Sequence, residues 1–159
     1  MIRPLAAAFL CLVLFWAAPA DADQGYPYDG MRVIETQKGY SALVEAFNAA
    51  VEAQDKVFVV TRASATVGVK NRFGEDIPGN MVAGVYGPEF ARRMLRASIP
   101  AGIEAPIRFY LTEDPATGRA TLTYRTPSAV FAPYAGEGLA EMAAELDAIF
   151  AEIAAAATR

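Results

Sequence analysis

The chain has 159 residues, 54% of them hydrophobic and 20% charged, a length that suits one domain able to bury its own core. Lys and Arg total 14 against 18 Asp and Glu, and the net charge of −4 disfavours a nucleic-acid binder, which needs a basic surface to displace counterions from phosphate. With no His and a single Cys, the chain lacks the parts for a His-based triad, a Cys/His zinc site or covalent haem attachment, so neither a metal nor a cofactor is expected.

Arg3 precedes an unbroken apolar run from Leu5 to Ala18, which is followed by Ala18-Pro19-Ala20 and Ala20-Asp21-Ala22. Positive charge, apolar stretch and small-residue cleavage site, in that order, read as a secretory signal peptide over residues 1–22. The run is shorter than the about 20 residues a membrane-crossing helix needs. Cys11 sits among bulky neighbours in mid-run, the wrong place for a lipoprotein cysteine. The expected location is therefore the periplasm or the medium, with membrane contact only through the leader before cleavage. Cleavage after Ala22 would remove the only Cys and the only Trp, leaving a disulfide-free domain stabilised by packing. Residues 23–30 (DQGYPYDG) read as a flexible lead-in to a single domain over residues 31–159.

Met31–Thr36 is a strand candidate. A helical period starts at Ser41, a residue able to cap it, with Leu43, Phe47 and Ala50 on one side. Lys56–Arg62 is rich in β-branched residues and apolar on both alternations, which predicts a central strand covered on both faces. Ala63–Asn80, with Gly68, Gly74, Pro78 and Gly79, reads as a long loop. Met81–Tyr86 is a strand, Glu89–Ala97 a short helix with Pro88 in its first turn, and Pro100–Pro106 a rigid connector.

Ile107–Thr112 and Ala120–Arg125 form a hairpin around an Asp-Pro and Gly turn. Ile107, Phe109 and Leu111 alternate with Arg108, Tyr110 and Thr112, and Leu122 and Tyr124 alternate with Thr121, Thr123 and Arg125. Last comes an apolar stripe, Leu139, Met142, Ala143, Leu146, Ile149, Phe150 and Ile153, with Glu141, Glu145 and Glu152 off it. The order predicts an α+β fold: a curved, mostly antiparallel sheet (strand, helix, four strands, helix) with a long C-terminal helix packed on one face. The apolar alternates should meet that helix, leaving Arg108, Tyr110, Thr121, Thr123 and Arg125 on the open face.

No serine lies in a nucleophile context, and Lys38, Lys56 and Lys70 form no Ser-x-x-Lys pair, so no catalytic residue is assigned. Glu141 and Glu145 read as solvated decoration and the methionines as core filler. Arg92 and Arg96, at i,i+4 on the short helix, could bridge an anion. Arg108, Tyr110, Tyr124 and Arg125 on the hairpin, with Phe131 in the apolar connector after it, are the candidate ligand-binding residues.

The stretch Ala101 to Asp114, with Gly102, Pro106, Glu113 and Asp114, and the strand carrying Tyr124 resemble the bacterial domain-of-unknown-function family 302. In that family a Gly-x-x-x-Pro stretch leads into a strand, an acidic turn and a strand with a Tyr. Val85-Tyr86-Gly87-Pro88 is similar to the family's aromatic-Gly-Asn-Pro turn without the Asn. The resemblance spans most of Met31 to Pro127, and the terminal helix fits it. It implies a fold of the TATA-binding-protein-like class, whose members hold ligands or partners in a groove between sheet and helix and include dimers. It brings no activity. Many members carry a His after the second strand, where this chain reads Arg62-Ala63-Ser64-Ala65.

The expected function is a binding or interaction module. The groove beneath the helix or the open sheet face would hold a small molecule or an envelope protein. One alternative is a His-independent enzyme using carboxylate and arginine, with Glu104 beside Arg108, and another is a structural homodimer in an envelope assembly.

Overall fold

The structure is a computed structural model and describes residues 25–159. The expected leader over residues 1–22 lies outside the described residues. In chain order the elements are β1 (Met31–Gly39), α1 (Tyr40–Glu52), β2 (Phe58–Ala63), α2 (Ala65–Phe73), β3 (Asn80–Tyr86) and α3 (Pro88–Ala97). A 3₁₀ turn (Ile99–Glu104) follows, then β4 (Ile107–Glu113), β5 (Arg119–Arg125), α4 (Pro127–Phe131) and α5 (Leu139–Thr158). The strands form one sheet in the order β1-β5-β4-β3-β2, and every pairing is antiparallel. This is the α+β fold expected, with the long terminal helix against one face.

The period-2 pattern of β4 and β5 sorts side chains between the two faces. On the helical face Phe109 of β4 meets Phe47 of α1, Tyr124 of β5 and Phe150 of α5 at ring-centroid distances of 5.1, 4.9 and 4.7 Å. Each such ring, taken fully from water, contributes about 1.5–3 kcal/mol. The predicted stripe on α5 is the buried one: Leu139, Met142, Ala143, Leu146, Phe150 and Ile153 are all in the core, with Ile149 at its margin. Glu145 stands off the stripe and holds α3 to α5 through Arg93, at 2.7 and 2.8 Å.

Several local expectations are corrected. The strand predicted as central, Lys56–Arg62, is β2, and it lies at the edge, paired only with β3 and with Phe58 and Val60 exposed. Its β-branched residues suit a pleated backbone whether or not a second neighbour exists, so composition alone does not place it in the middle. The predicted loop Ala63–Asn80 contains α2, a nine-residue helix with no buried residue, ended by Gly74 in the left-handed conformation. A helix that buries nothing leaves no apolar period to detect. Helix α1 starts at Tyr40 straight from β1, so Ser41 lies inside its first turn instead of capping it. The connector Pro100–Pro106 is mostly 3₁₀ helix, and the apolar stretch after β5 folds as α4.

Candidate functional site

The sheet's other face carries the alternates that the helices do not cover. Across it Val33 of β1, Thr123 of β5, Tyr110 of β4 and Val82 of β3 stand in register as successive cross-strand neighbours. Arg108 is two residues along β4 from Tyr110 and pairs with Gly84. Gly84 is required there, because a Cβ would strike Thr61 of β2 and come within 2.7 Å of the Pro106 ring.

A cleft of about 490 Å³ opens over this row. Its floor includes Val82, Arg108, Tyr110 and Thr123, and its walls come from the 3₁₀ turn (Glu104), α4 (Val130) and the segment before β1 (Tyr26, Tyr28). That volume is in the range of small-molecule sites. The segment before β1 is fastened by β5 and the start of α4. Arg125 Nε donates to the Asp29 carbonyl at 2.9 Å, its Nη2 donates to the Ala129 carbonyl at 2.9 Å, and its guanidinium lies 5.4 Å over the Tyr28 ring. Gly30, at φ +77°, accepts from the Thr126 N–H at 2.8 Å. A side chain there would meet Ala129 and Thr126 while holding a backbone that L residues rarely adopt.

Two features give the cleft chemistry. The Thr123 hydroxyl is buried with no hydrogen-bond partner, and buried polar groups are nearly always paired. Arg108, exposed on the same face, enters none of the three ion pairs among the described residues, which join Lys70 to Asp76, Arg92 to Glu89 and Arg93 to Glu145. Glu104 is the one carboxylate lining the cleft. It accepts from the Tyr134 hydroxyl at 2.7 Å, and that bond holds the Tyr134 phenol above its ordinary value.

The other predicted hollow, beneath the terminal helix, is nearly filled. About 30 Å³ remains among Phe90, Met94, Phe131, Met142 and Leu146, an apolar space the size of one or two waters. Phe131, expected at a cavity mouth, is a core residue bordering that space. Adjacent Val130 faces the open cleft instead. Tyr124 borders the cleft, yet its ring stacks on Phe109 and Phe150 on the helical side, and burial pushes its phenol up. Arg92 is held by both carboxylate oxygens of Glu89, at 2.7 and 3.0 Å, so an anion bridging it to Arg96 would have to displace that pair.

Of the sequence-derived candidates, the structure brings Arg108, Tyr110 and Arg125 together at one cleft and sets Phe131, Arg92 and Arg96 apart from it. Tyr26, Tyr28, Val82 and Val130 are cleft residues that reading the sequence passed over. The available signal was two tyrosines around Pro27 in an otherwise polar segment.

The family model described as "Domain of unknown function DUF302" matches residues 32–157. No curated protein matches the chain. Among solved structures, the crystal structure of an uncharacterized conserved protein DUF302 from Bacillus stearothermophilus is similar, with a TM-score of 0.67 and 18% identity, over 82% of this chain and 99% of that one. At that identity the likeness speaks for the fold.

Proposed function

We propose that this chain, which belongs to the DUF302 family, is an exported binding module that holds a small molecule in the cleft on its open sheet face. The observation that carries the reading is a cleft of about 490 Å³ whose floor residue Thr123 keeps a buried hydroxyl without a partner. An orphaned hydroxyl costs about 1–3 kcal/mol, a cost that a ligand's hydrogen bond would offset. Of the two hollows expected from the sequence, the one beneath the helix is too small for anything larger than water, which leaves the open face. The enzymatic alternative, Glu104 working with Arg108, is weaker because Glu104 is bonded to the Tyr134 hydroxyl and pairs with no arginine among the described residues. Export rests on Arg3, the apolar run from Leu5 to Ala18 and the small-residue sites after it.

The test is residue-resolved NMR on the exported protein, titrated with a panel of drug-sized aromatic, aliphatic and sugar compounds. Shifts gathered on Val82, Tyr110, Thr123 and Val130 are expected. Shifts gathered on Phe90, Met94, Phe131 and Met142, or none with any compound, would overturn the reading.

A further inference from the structure

The cleft has an uneven charge balance, and the imbalance identifies a ligand class. Two arginines line it, Arg108 and Arg125, against one carboxylate, Glu104. Both side-chain hydrogen bonds of Arg125 end on backbone carbonyls, of Asp29 and Ala129, and its third neighbour is the face of Tyr28. Carbonyl oxygens and a ring fix a guanidinium in place but leave its unit charge uncancelled. Glu104 is bonded to Tyr134 and pairs with neither arginine. The cleft thus holds one excess positive charge in a chain whose net charge is −4. Arg92 and Arg93, by contrast, each hold a carboxylate in a two-bond grip.

Around those charges the lining is apolar or aromatic: Tyr26, Met31, Val82, Tyr110 and Val130. The Thr123 hydroxyl, adjacent to Tyr110 across the ladder, can donate or accept one bond at the floor. We infer that the cleft takes an organic anion with a single negative charge and a flat apolar body. Arg108 grips the carboxylate with two N–H donors, the tyrosines flank the body, and Thr123 supplies the remaining hydrogen bond. This assignment rests on the open-face reading and adds to it the ligand's charge.

Two probes of the same shape separate the charge from the cleft itself: 2-naphthoate, which is anionic, and the neutral 2-naphthamide. Both are titrated into the exported protein by calorimetry, with NMR to locate the contact. 2-Naphthoate is expected to bind at least tenfold more tightly. Arg108→Met keeps the apolar stem of an exposed side chain and removes its charge, so the fold should be unaffected. It should weaken 2-naphthoate by about ten- to a hundredfold, the range for a charged hydrogen bond, and 2-naphthamide, whose carbonyl is a weaker acceptor, by far less. Equal affinity for the two probes, or an equal loss of both in Arg108→Met, overturns the anion assignment while the open-face reading stands. Contacts of 2-naphthoate centred on Arg92 and Arg96 overturn it as well. If neither probe moves Val82, Tyr110 or Thr123 at millimolar concentration, the assignment and the open-face reading fall together.

Discussion

Phe109 and Tyr110 are neighbours on β4 and end in opposite surroundings. Phe109 is fully buried among Phe47, Tyr124 and Phe150, whereas Tyr110 stands half-buried in the cleft between Val82 and Thr123. One face of the sheet is closed by α1 and α5, and the hollow beside α5 there holds only about 30 Å³; the other keeps a hollow of about 490 Å³ with a hydroxyl and a guanidinium left unmatched. The difference separates two demands on the same strands. The filled face supplies stability through packing, and the unfilled face is free to hold groups that stability alone would not retain.

The strongest way to break that comparison is to truncate the two neighbours in turn. Phe109→Ala should cost about 3–5 kcal/mol by denaturant unfolding, because three rings close around the void and cannot collapse into it. Tyr110→Ala should cost about 1 kcal/mol or less, since the cleft already admits water on that side. Similar losses for both would mean that the open face is as much a part of the core as the helical one.

Thr123→Val sharpens the comparison from inside the cleft. Replacing an unpartnered buried hydroxyl by a methyl should stabilise the ligand-free protein by about 1 kcal/mol, seen as a raised unfolding midpoint at unchanged slope. A hydroxyl that already had a hydrogen-bond partner would show the opposite sign. A lowered midpoint would therefore remove Thr123 from the list of groups held for a ligand.

The same contrast decides what could be read in the sequence. The helical face was legible because burial leaves a period: the α5 stripe from Leu139 to Ile153 and the alternation along β4 and β5 both mark which side faces in. That alternation also exposed Arg108, Tyr110, Thr123 and Arg125 as one surface, which is half of the site. The walls were not legible, since Tyr26, Tyr28 and Val82 reach the cleft through strand order and through the hold of Arg125 on the Asp29 carbonyl, 96 residues apart in sequence. Helix α2 escaped for a related reason. It buries no residue, and its one local mark was Gly74 after Lys70 and Arg72, a C-terminal signature hidden among other glycines. Strand β2 looked central because Phe58, Val59 and Val60 are apolar in succession, and nothing local states that one edge lacks a neighbour.

The smallest effect concerns the two kinds of arginine. Glu145, gripped by Arg93 where α3 meets α5, has its carboxyl held below the ordinary value of 4.5 by that bond. A depressed folded value means that the pair stabilises the fold above the ordinary carboxylate range and stops doing so as the pH falls through the folded value. Arg93→Gln should therefore lower the unfolding midpoint slightly at neutral pH, and the gap to the parent should close in acid. Both side chains are partly exposed, so the gap is expected to be small and to shrink further with added salt. Arg108→Met, which removes an arginine with no carboxylate partner, should open no such pH-dependent gap. A gap for Arg93→Gln that persisted in acid would assign its contribution to the stem and to its place 5.9 Å over the Phe90 ring rather than to charge.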